Sequence, residues 1–544
     1  MAMKSWLFHC IVWFSVFSVS SFAQVRFLPV ETYPVDAPVV VADLNGDGKP
    51  DLVALNGLSS AAALPTVVAL LGNGDGTFQV AKTSSLVGFA FPRSLAVGDV
   101  NGDGKPDLLV AIMCVAFNDC RGLVGVMLGN GDGTFQEPVT YLSGGMYSGS
   151  IAVSDVNGDR KLDVVVTSSF ALANCDHGVV SVLKGNGDGT LQAAQSYDSG
   201  GCYANSTVVA DANGDGNLDL LVVNGCLSYS TCVLGGGVGV LLGNGDGTFR
   251  AAQSYSSDRG GAASLAVADL NGDGKLDIAV ANECVFCDAG ATIAVLLGNG
   301  DGTFRTARIF SSRAYLAMSI AIADINLDGK PDLIVAACVP GPARCFGPAG
   351  TIFGNGVASV LLGNGDGTFR AAQKFGSGGY LGVSIVVADV NGDRKPDVLV
   401  NNECGSSNPC TGIGNVGVLL NATGVFTDTT PPVITLSAAP KILWPPNRKI
   451  VPVTVSGTIS DSGSGVNANS AAYSVNDEYG EVQPMGAITL GPGGDYSFTV
   501  LLPASRRGSD LDGRRYTVTV RAKDNVGNGG SKTGAVTVPH DQGD

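Results

Sequence analysis

The stretch DLNGDGKPD, Asp43 to Asp51, decides the fold of this chain, because its pattern D-x-N-x-D-x-x-x-D returns six more times. The later copies begin at Asp99, Asp155, Asp211, Asp269, Asp324 and Asp389. Each copy packs three carboxylates and one amide into nine residues, and a folded chain tolerates such a density of negative charge only with a cation or full solvation. Oxygen donors at positions 1, 3, 5 and 9, with a carbonyl near position 7, suit calcium.

The sequence therefore predicts seven metal loops, with calcium as the cofactor. Unlike an EF-hand loop, which ends in a bidentate Glu at position 12, these loops close with Asp at position 9. Short apolar runs flank each loop, so each joins two strands rather than two helices. The candidate metal ligands are Asp43, Asn45, Asp47, Asp51, Asp99, Asn101, Asp103, Asp107, Asp155, Asn157, Asp159, Asp163, Asp211, Asn213, Asp215, Asp219, Asp269, Asn271, Asp273, Asp277, Asp324, Asn326, Asp328, Asp332, Asp389, Asn391, Asp393 and Asp397.

A second motif, LGNGDGTF, follows each metal loop at nearly constant spacing. It begins at Leu71, Leu128, Leu242, Leu297 and Leu362, with variants at residues 184–191 and 420–426. Its Asn-Gly-Asp-Gly core indicates a hairpin, because Asn, Asp and Gly accept positive φ in tight turns. A second cation site that uses Asp75 and its equivalents is the alternative interpretation.

The spacing of the loops indicates the architecture. Successive loops start 56, 56, 56, 58, 55 and 65 residues apart, a period typical of solenoids and propellers. One period contains four short strands, so seven periods predict an all-β, seven-bladed β-propeller; a β-solenoid is the alternative, but its coils are usually shorter. Residues 27–33 resemble the fourth strand that the last repeat lacks, so the N-terminal segment should complete the seventh blade. Metal loops and Asn-Gly-Asp-Gly turns should share one face of the ring.

The N-terminus and the net charge bear on location and partners. Residues 1–23 have the pattern of a secretory signal peptide, so the protein should be secreted or lie at the cell surface. No later apolar run approaches the roughly 20 residues of a membrane helix. The formal net charge is -16, but the seven loops alone contain 21 Asp. The acidity is therefore a metal signature, and nothing in it favours nucleic acid as a partner.

Twelve of the 13 cysteines remain once Cys10 is removed with the signal peptide, and an even number in an exported chain predicts disulfides. Five pairs each fall within one inter-strand loop, which leaves Cys175 and Cys202 to pair by elimination. All lie on the face opposite the metal loops. A thiol-metal or redox reading of Cys284 and Cys287 is the alternative for that pair. The predicted disulfides are Cys114/Cys120, Cys175/Cys202, Cys226/Cys232, Cys284/Cys287, Cys338/Cys345 and Cys404/Cys410.

The C-terminal fifth of the chain lacks the repeat. A Thr/Pro linker at residues 427–432 separates the repeats, residues 24–426, from residues 433–544. Alternating apolar runs at residues 451–455 and 516–520 predict a small Ig-like β-sandwich. Pro452 should place the first of these strands at a sheet edge, because proline cannot donate to a ladder.

The paired motifs D-x-N-G-D-G-x-x-D and L-G-N-G-D-G-T-F resemble the FG-GAP/VCBS repeat family, the calcium-loop propellers related to the head of integrin α-subunits. The resemblance covers residues 24–426 and implies a propeller with calcium on one face. Residues 443–447 and 522–528 resemble bacterial Ig-like modules. Three loops depart from the pattern: Arg160 and Arg394 replace the sixth-position Gly, and Leu327 replaces the Gly at position four. Positive φ at these residues should cost about 1 kcal/mol each and weaken calcium binding.

The resemblance implies no single activity. We expect a secreted, calcium-binding, monomeric module for extracellular binding or adhesion, with a glycan or protein ligand and no catalytic residues. The alternative is a polysaccharide-active lyase or glycosidase, or its non-catalytic carbohydrate-binding appendage. Only His177 and His540 remain for histidine chemistry after signal removal. Loops of the cysteine-bearing face, above all residues 338–354, are the expected recognition surface, with Tyr147, Tyr203, Phe286 and Tyr380 as candidate rings for sugar stacking.

Overall fold

The computed structural model describes residues 25–56, 65–79, 82–86, 90–115, 119–172, 177–227, 235–258, 260–283, 290–339, 354–405, 414–423, 430–461, 466–491, 494–524 and 527–540. The chain divides into two compact units, Met1–Gly424 and Val425–Asp544. The predicted signal peptide lies outside the described residues, as does part of the predicted linker, so these boundaries stay predictions.

Every regular element among the described residues is a β-strand, which confirms the all-β prediction. In the first unit the strands follow the predicted period of four. The strands are β1 (Glu31–Tyr33), β2 (Asp36–Ala42), β3 (Asp51–Asn56), β4 (Thr66–Leu70), β5 (Lys82–Ser85), β6 (Ala90–Gly98), β7 (Asp107–Cys114), β8 (Arg121–Met127), β9 (Val139–Ser154), β10 (Asp163–Ala171), β11 (Val179–Leu183), β12 (Gln195–Asp198), β13 (Cys202–Ala210), β14 (Asp219–Cys226), β15 (Gly237–Leu241), β16 (Gln253–Ser256), β17 (Gly261–Ala268), β18 (Asp277–Glu283), β19 (Thr292–Leu296), β20 (Arg308–Ser311), β21 (Leu316–Ala323), β22 (Asp332–Val339), β23 (Asn355–Leu361), β24 (Gln373–Ala388), β25 (Asp397–Cys404) and β26 (Asn415–Leu419).

Consecutive strands pair antiparallel within each repeat. Three repeats form separate four-stranded sheets, β2 to β5, β13 to β16 and β17 to β20. The other four are joined in pairs, because the 16-residue strands β9 and β24 each end one repeat and begin the next. The last sheet is completed by β1, where Glu31 pairs with Val418 and Tyr33 with Val416 of β26. The predicted pairing of the N-terminal segment with the last repeat is therefore confirmed.

The second and third strands of each repeat are almost wholly buried, as in β3, β11 and β15. They are continuous apolar runs because a neighbouring sheet covers each of their faces. Seven clusters of buried side chains fill the spaces between successive repeats. One of them joins the last repeat to the first, through Leu399 and Val418 on one side and Leu52 and Val68 on the other.

Contacts outside these clusters follow the same order. The first strand of each repeat contacts that of the next, and β24 also contacts β2. Aromatic residues of the fourth strand pack edge-to-face on the Phe that ends the LGNGDGTF motif of the following repeat, as Tyr255 does on Phe304 with ring centroids 5.6 Å apart. Tyr33 of β1 makes this contact with Phe78 at 5.3 Å. The N-terminal strand thus occupies the position of a last strand preceding the first repeat.

The second unit contains two antiparallel sheets that share one core. One sheet comprises β27 (Val433–Ile434), β28 (Ser437–Ala439), β29 (Ile450–Ser460) and β32 (Asp495–Pro503). The other comprises β30 (Val466–Asp477), β31 (Met485–Ala487), β33 (Arg514–Asp524) and β34 (Gly529–Val538). Val453 and Val500 from the first sheet and Val518 and Val536 from the second are at most 2% exposed.

The prediction that Pro452 marks an edge strand is wrong. Strand β29 pairs with β32 on one side and with β27 and β28 on the other. Pro452 is nevertheless accommodated, because β28 ends opposite Thr454 and leaves the strand beside the proline unpaired on that side. Among the residues described, no helix is long and apolar enough to cross a membrane.

Candidate functional site

The seven predicted metal loops share one hydrogen-bonded conformation. In the first, Asp43 Oδ1 accepts hydrogen bonds from the backbone N–H of Gly46 and Asp47 at 2.8 and 3.1 Å, and Asp43 Oδ2 accepts one from Gly48 at 2.8 Å. Asn45 Oδ1 accepts the Asp47 N–H at 2.9 Å. The side chains at positions 1, 3 and 5 are thereby drawn together by the loop's own backbone. The same bonds recur in the other loops, as from Gly272 and Gly274 to Asp269. In the sixth loop the described donors to Asp324 are Asp328 and Gly329 and do not include the residue at position 4.

The ninth Asp of each loop joins the two sequence motifs. Asp51 is fully buried, with Oδ2 accepting the Leu44 N–H at 2.8 Å and Oδ1 accepting the Gly72 N–H at 2.7 Å. A side chain at Gly72 would place its Cβ 2.1 Å from the carbonyl oxygen of Pro50, so only glycine fits. The Gly of LGNGDGTF thus allows the close approach that the ninth Asp requires. Sequence reasoning assigned this carboxylate to metal alone and missed its role in linking the motifs.

The degenerate seventh repeat keeps this connection. Asn421 takes the place of the motif glycine and donates its N–H to Asp397 Oδ1 at 2.6 Å. Its side-chain amide donates to the carbonyl oxygens of Ile325 and Pro396, both at 3.0 Å. The seventh repeat has therefore lost most residues of the LGNGDGTF motif but keeps the contact between the metal loop and the turn.

The buried ninth carboxylates titrate abnormally. Burial raises the pKa of Asp51, its two backbone hydrogen bonds lower it, and the charges of Asp47 and Asp43 raise it further. The pKa of Asp107, Asp163, Asp219 and Asp277 is also raised, first by burial. For Asp332 and Asp397 burial raises it to about 6. Because neighbouring carboxylates disfavour one another's ionised forms, a cation bound between them would stabilise the loop.

The structure does not by itself establish a metal ligand set. Within the described ranges, no group of three or more His, Cys, Asp or Glu side chains that could hold a metal ion is found. The Asn at position 3 is not among those residue types, and the ninth Asp already accepts two backbone hydrogen bonds. The predicted calcium ligands therefore stay a prediction, although the all-oxygen donor set of each loop suits calcium.

The Asn-Gly-Asp-Gly turns match the hairpin interpretation. Asp75 Oδ1 accepts hydrogen bonds from the Thr77 N–H at 2.9 Å and from the Thr77 hydroxyl at 2.6 Å. The hydroxyl bond, followed by the N–H bond, lowers the pKa of the Asp75 carboxyl. The equivalents Asp132, Asp188, Asp246, Asp301 and Asp366 accept the same pair of bonds. These carboxylates serve the turn, which favours the hairpin over a second cation site.

The three departing loops adopt the strained backbone that the sequence predicted. The φ angle is 65° at both Arg160 and Arg394 and 60° at Leu327. The sixth-position bond survives at both arginines, since the N–H groups of Arg160 and Arg394 each donate to the first Asp of their loop at 2.7 Å.

We expect the change Arg160→Gly to stabilise the repeat unit by about 0.5–1 kcal/mol, because relief of the left-handed backbone outweighs the greater entropy of unfolded glycine. Thermal unfolding with calcium present would measure the effect. Lys161→Gly is the control, because that residue is not in the left-handed region and its replacement should destabilise. A lower melting temperature for Arg160→Gly would contradict the prediction.

The predicted disulfide between Cys114 and Cys120 is wrong, because both are free thiols. Burial, followed by the hydrogen bond between these thiols, raises the pKa of Cys114 to about 12, which disfavours the thiolate that disulfide formation requires. Cys226, Cys338 and Cys404 are disulfide-bonded. Their predicted partners Cys232, Cys345 and Cys410 lie outside the described residues, as do Cys175, Cys284 and Cys287, so these pairings stay predictions. Cys202 is buried directly opposite Cys226.

The candidate stacking rings have different surroundings. Tyr147 and Tyr203 are brought together through Phe170, which makes edge-to-face contacts with both, at 6.2 and 4.9 Å between ring centroids. Tyr380 lies apart on β24, opposite Asn355 and Cys404. Phe286 and most of the predicted recognition loop at residues 338–354 lie outside the described residues.

A pocket that the sequence did not indicate lies at the opposite end of the first strands from the metal loops. Its volume is about 490 Å³. It is formed near the beginnings of β2, β6 and β21, by the second half of β24 and by the end of β25, so its residues come from four repeats and from positions outside both motifs. The lining residues are Asp36, Ala37, Pro38, Phe91, Pro92, Arg93, Met318, Val383, Ser384 and Glu403.

Comparison with known proteins places these features in context. Among solved structures, the chain is similar to the crystal structure of the V. cholerae biofilm matrix protein Bap1, with 12% identity, a TM-score of 0.27, and coverage of 75% of this chain and 95% of that chain. That likeness is too distant to inform function. The family model of the FG-GAP-like repeat matches residues 43–110, 112–166, 170–222, 231–280, 281–335 and 350–400. These segments contain all seven loops, and the chain therefore belongs to the FG-GAP-like repeat family.

Proposed function

We propose that this protein is a secreted, calcium-stabilised seven-bladed β-propeller with a C-terminal Ig-like module, which acts in extracellular binding or adhesion. Its ligand is a glycan or a protein, and it works as a monomer without catalytic activity. The signal sequence at residues 1–23 would direct export. Membership of the FG-GAP-like repeat family is consistent with an extracellular location.

A closed ring accounts for the contacts of the first unit. The seven interlayer cores return from the last repeat to the first, and β1 supplies the last strand. On the metal-loop side, the Gly76 N–H of the first repeat donates to the Val390 carbonyl of the seventh loop at 3.2 Å, as Gly189 does to Val100 between the third and second repeats. Each sheet of such a ring keeps only short edge strands, such as β5, β16 and β20, on which other chains could pair.

The observation that carries the calcium proposal is the fully buried ninth Asp, which occurs in every loop beside the carboxylates of positions 1 and 5. The side chains at positions 1, 3, 5 and 9 of each loop would hold the ion. When bound, calcium would neutralise these carboxylates. The chain itself would orient them, because backbone N–H groups of the loop and of the following turn fix their rotamers. The loop bonds therefore preorganise the ligands.

The Ig-like proposal rests on the two sheets of the second unit. Each is four-stranded and antiparallel, and their facing side chains form one buried core. The alternating exposure along β33, where Tyr516, Val518 and Val520 are buried and their neighbours less so, is typical of a sandwich strand. Such modules serve in many extracellular proteins as spacers or binding domains, which fits the proposed role.

A polysaccharide-active enzyme is the second candidate, and one observation favours it. The pocket is lined by two carboxylates outside the calcium loops, Asp36 and Glu403. Burial raises the pKa of Glu403, Arg93 lowers it, and Asp36 raises it. Glycosidases use such a pair, with one carboxyl protonated as the general acid.

A binding screen distinguishes these candidates. The full chain would be applied to glycan and matrix-protein arrays with calcium and with chelator, and polysaccharides would be assayed for new reducing ends or unsaturated sugars. We expect calcium-dependent binding without turnover. Release of reducing ends would favour the enzyme, and absence of binding to every glycan and matrix protein would contradict the binding function.

A further inference from the structure

The pocket formed by residues of β2, β6, β21, β24 and β25 combines apolar walls with opposite charges. Phe91, Met318 and Val383 contribute apolar surface, and Arg93, Ser384 and Glu403 contribute polar groups. Its volume of about 490 Å³ falls within the ~300–1,000 Å³ of small-molecule sites, which are likewise mostly apolar with a few convergent polar groups.

The guanidinium of Arg93 has N–H donors that are available to a ligand. Its Nη2 lies 3.4 Å from the Sδ of Met113, and a thioether is a weak acceptor. The residue forms no salt bridge within the described part of the chain. The guanidinium, which carries five N–H donors, is therefore open to acceptors of a ligand in the pocket.

The charges of the pocket select against anions. Glu403 is exposed to the pocket, whereas Asp36 is 5% exposed and accepts the Gly414 N–H at 2.9 Å. With one guanidinium and two carboxylates, the ionised pocket carries a net charge of about -1. A uronate would therefore be repelled, whereas an uncharged hydroxyl can donate to Glu403 and accept from Arg93 at once.

Phe91 presents an aromatic ring to the same pocket and is 38% exposed. Its backbone is left-handed at φ 59°, as are those of Tyr147 at 58° and Tyr203 at 57°, which occupy the same position three residues before a serine in the next two repeats. The backbone shape is thus a property of the repeat. What distinguishes Phe91 is that its ring lies beside Arg93 and Glu403 in a pocket. The apolar C–H face of a sugar ring packs well on such a surface.

We propose that this pocket binds an uncharged sugar residue, with its ring against Phe91 and its hydroxyls hydrogen-bonded to Arg93 and Glu403. The proposal rests on the binding function proposed above and names the ligand class and the site. It moves recognition from the long cysteine-bearing loops to the place where four repeats converge. Sugars that fit would be neutral hexoses or the neutral ends of longer glycans.

Calorimetry and saturation-transfer NMR on the full chain in calcium would test this, with the methyl glycosides of glucose, galactose and mannose as probes. Methyl glucuronoside provides the anionic comparison. We expect at least one neutral glycoside to bind, and Phe91→Ala and Glu403→Gln each to weaken it by about tenfold or more, because a stacking face or a charged acceptor is lost. Melting temperatures would verify that the variants are folded.

The repeats supply a matched control. Glu283 stands six residues after Asp277, as Glu403 does after Asp397, but it does not line the pocket. Glu283→Gln should therefore leave glycoside binding unchanged. Equal losses in the control and pocket variants would overturn the proposal, as would a preference for the glucuronoside.

Failure of the pocket proposal can be separated from failure of the binding function. The pocket variants would be applied to the same glycan and matrix-protein arrays as the native chain. Array binding that persists in Phe91→Ala and Glu403→Gln would refute the pocket and keep the binding function. Absence of binding by the native chain to arrays and glycosides alike would refute both.

Discussion

Chelation of calcium is expected to lower the melting temperature of the repeat unit more than any single substitution in it. A site filled at about 100 times its dissociation constant adds about 2.7 kcal/mol to the folded state. Several such sites together would match the whole stability of a typical domain, about 5–15 kcal/mol. Without calcium, each ninth Asp is fully buried with at least one other carboxylate of its loop nearby and no cation to compensate them. Scanning calorimetry in excess calcium and in excess chelator measures the difference.

Titration calorimetry tests the same sites one at a time. We expect seven calcium equivalents, with the loops of Arg160, Leu327 and Arg394 weaker. Asp47→Asn should remove about one tightly bound calcium equivalent. Asp75→Asn in the neighbouring turn should remove none, because Asp75 Oδ1 already accepts two hydrogen bonds from Thr77. Fewer than four equivalents in the native chain, or an unchanged melting temperature in chelator, would refute the calcium proposal.

The pH dependence of the chelated protein provides a further check. Unfolded Asp titrates near 3.9, whereas burial raises the pKa of Asp332 and Asp397 to about 6 in the folded state. The stability from these two groups is therefore fully present below about pH 4 and is lost as the pH rises through 6. The calcium-loaded protein should show the opposite trend, because protons compete with the metal for the carboxylates.

Replacement of Arg514 by Met is expected to destabilise the second unit by about 3–5 kcal/mol, because it leaves a buried charge without its partner. The Arg514 side chain is 2% exposed and that of Asp477 is 0% exposed. Arg514 donates to both oxygens of Asp477, at 2.9 and 2.5 Å, and to Glu481 at 3.0 Å. Its guanidinium also lies 5.0 Å from the centre of the Tyr516 ring.

Arg507 is the matched control for this prediction. It lies 4.6 Å from the centre of the Tyr479 ring and 3.2 Å from Glu481, but its side chain is 62% exposed. Arg507→Met should therefore cost less than about 1 kcal/mol. Denaturant unfolding of the full chain, followed through the transition of the second unit, compares the two. The prediction fails if both substitutions have the same small cost.

The sequence alone was sufficient to predict those features of the fold that arise from a recurring pattern. Loop positions and the four-strand period follow from the spacing of Asp43 to Asp51 and its copies, because each repeat forms the same turn between the same strands. The completing N-terminal strand follows from the likeness of residues 27–33 to a fourth strand. The strain at Arg160, Leu327 and Arg394 was also predictable, since glycine occupies those positions in the other loops. The edge-strand prediction from Pro452 was wrong because a proline requires only that its own backbone position be unpaired on one side. The short strand β28, which ends opposite Thr454, meets that requirement.

Tertiary structure decided what depends on the approach of distant residues. The hydrogen bond from the Gly72 N–H to Asp51 explains why the two motifs occur together in each repeat. It depends on a backbone approach that leaves no room for a side chain at Gly72, and the composition of the chain does not reveal such an approach. Cys114 and Cys120 are free thiols joined by a hydrogen bond, which their spacing in the sequence cannot show. The pocket of Phe91, Arg93 and Glu403 joins residues from separate repeats at positions that no motif marks. The sequence by itself determined the repeating scaffold, whereas convergence of the strand ends decided which unlike side chains meet.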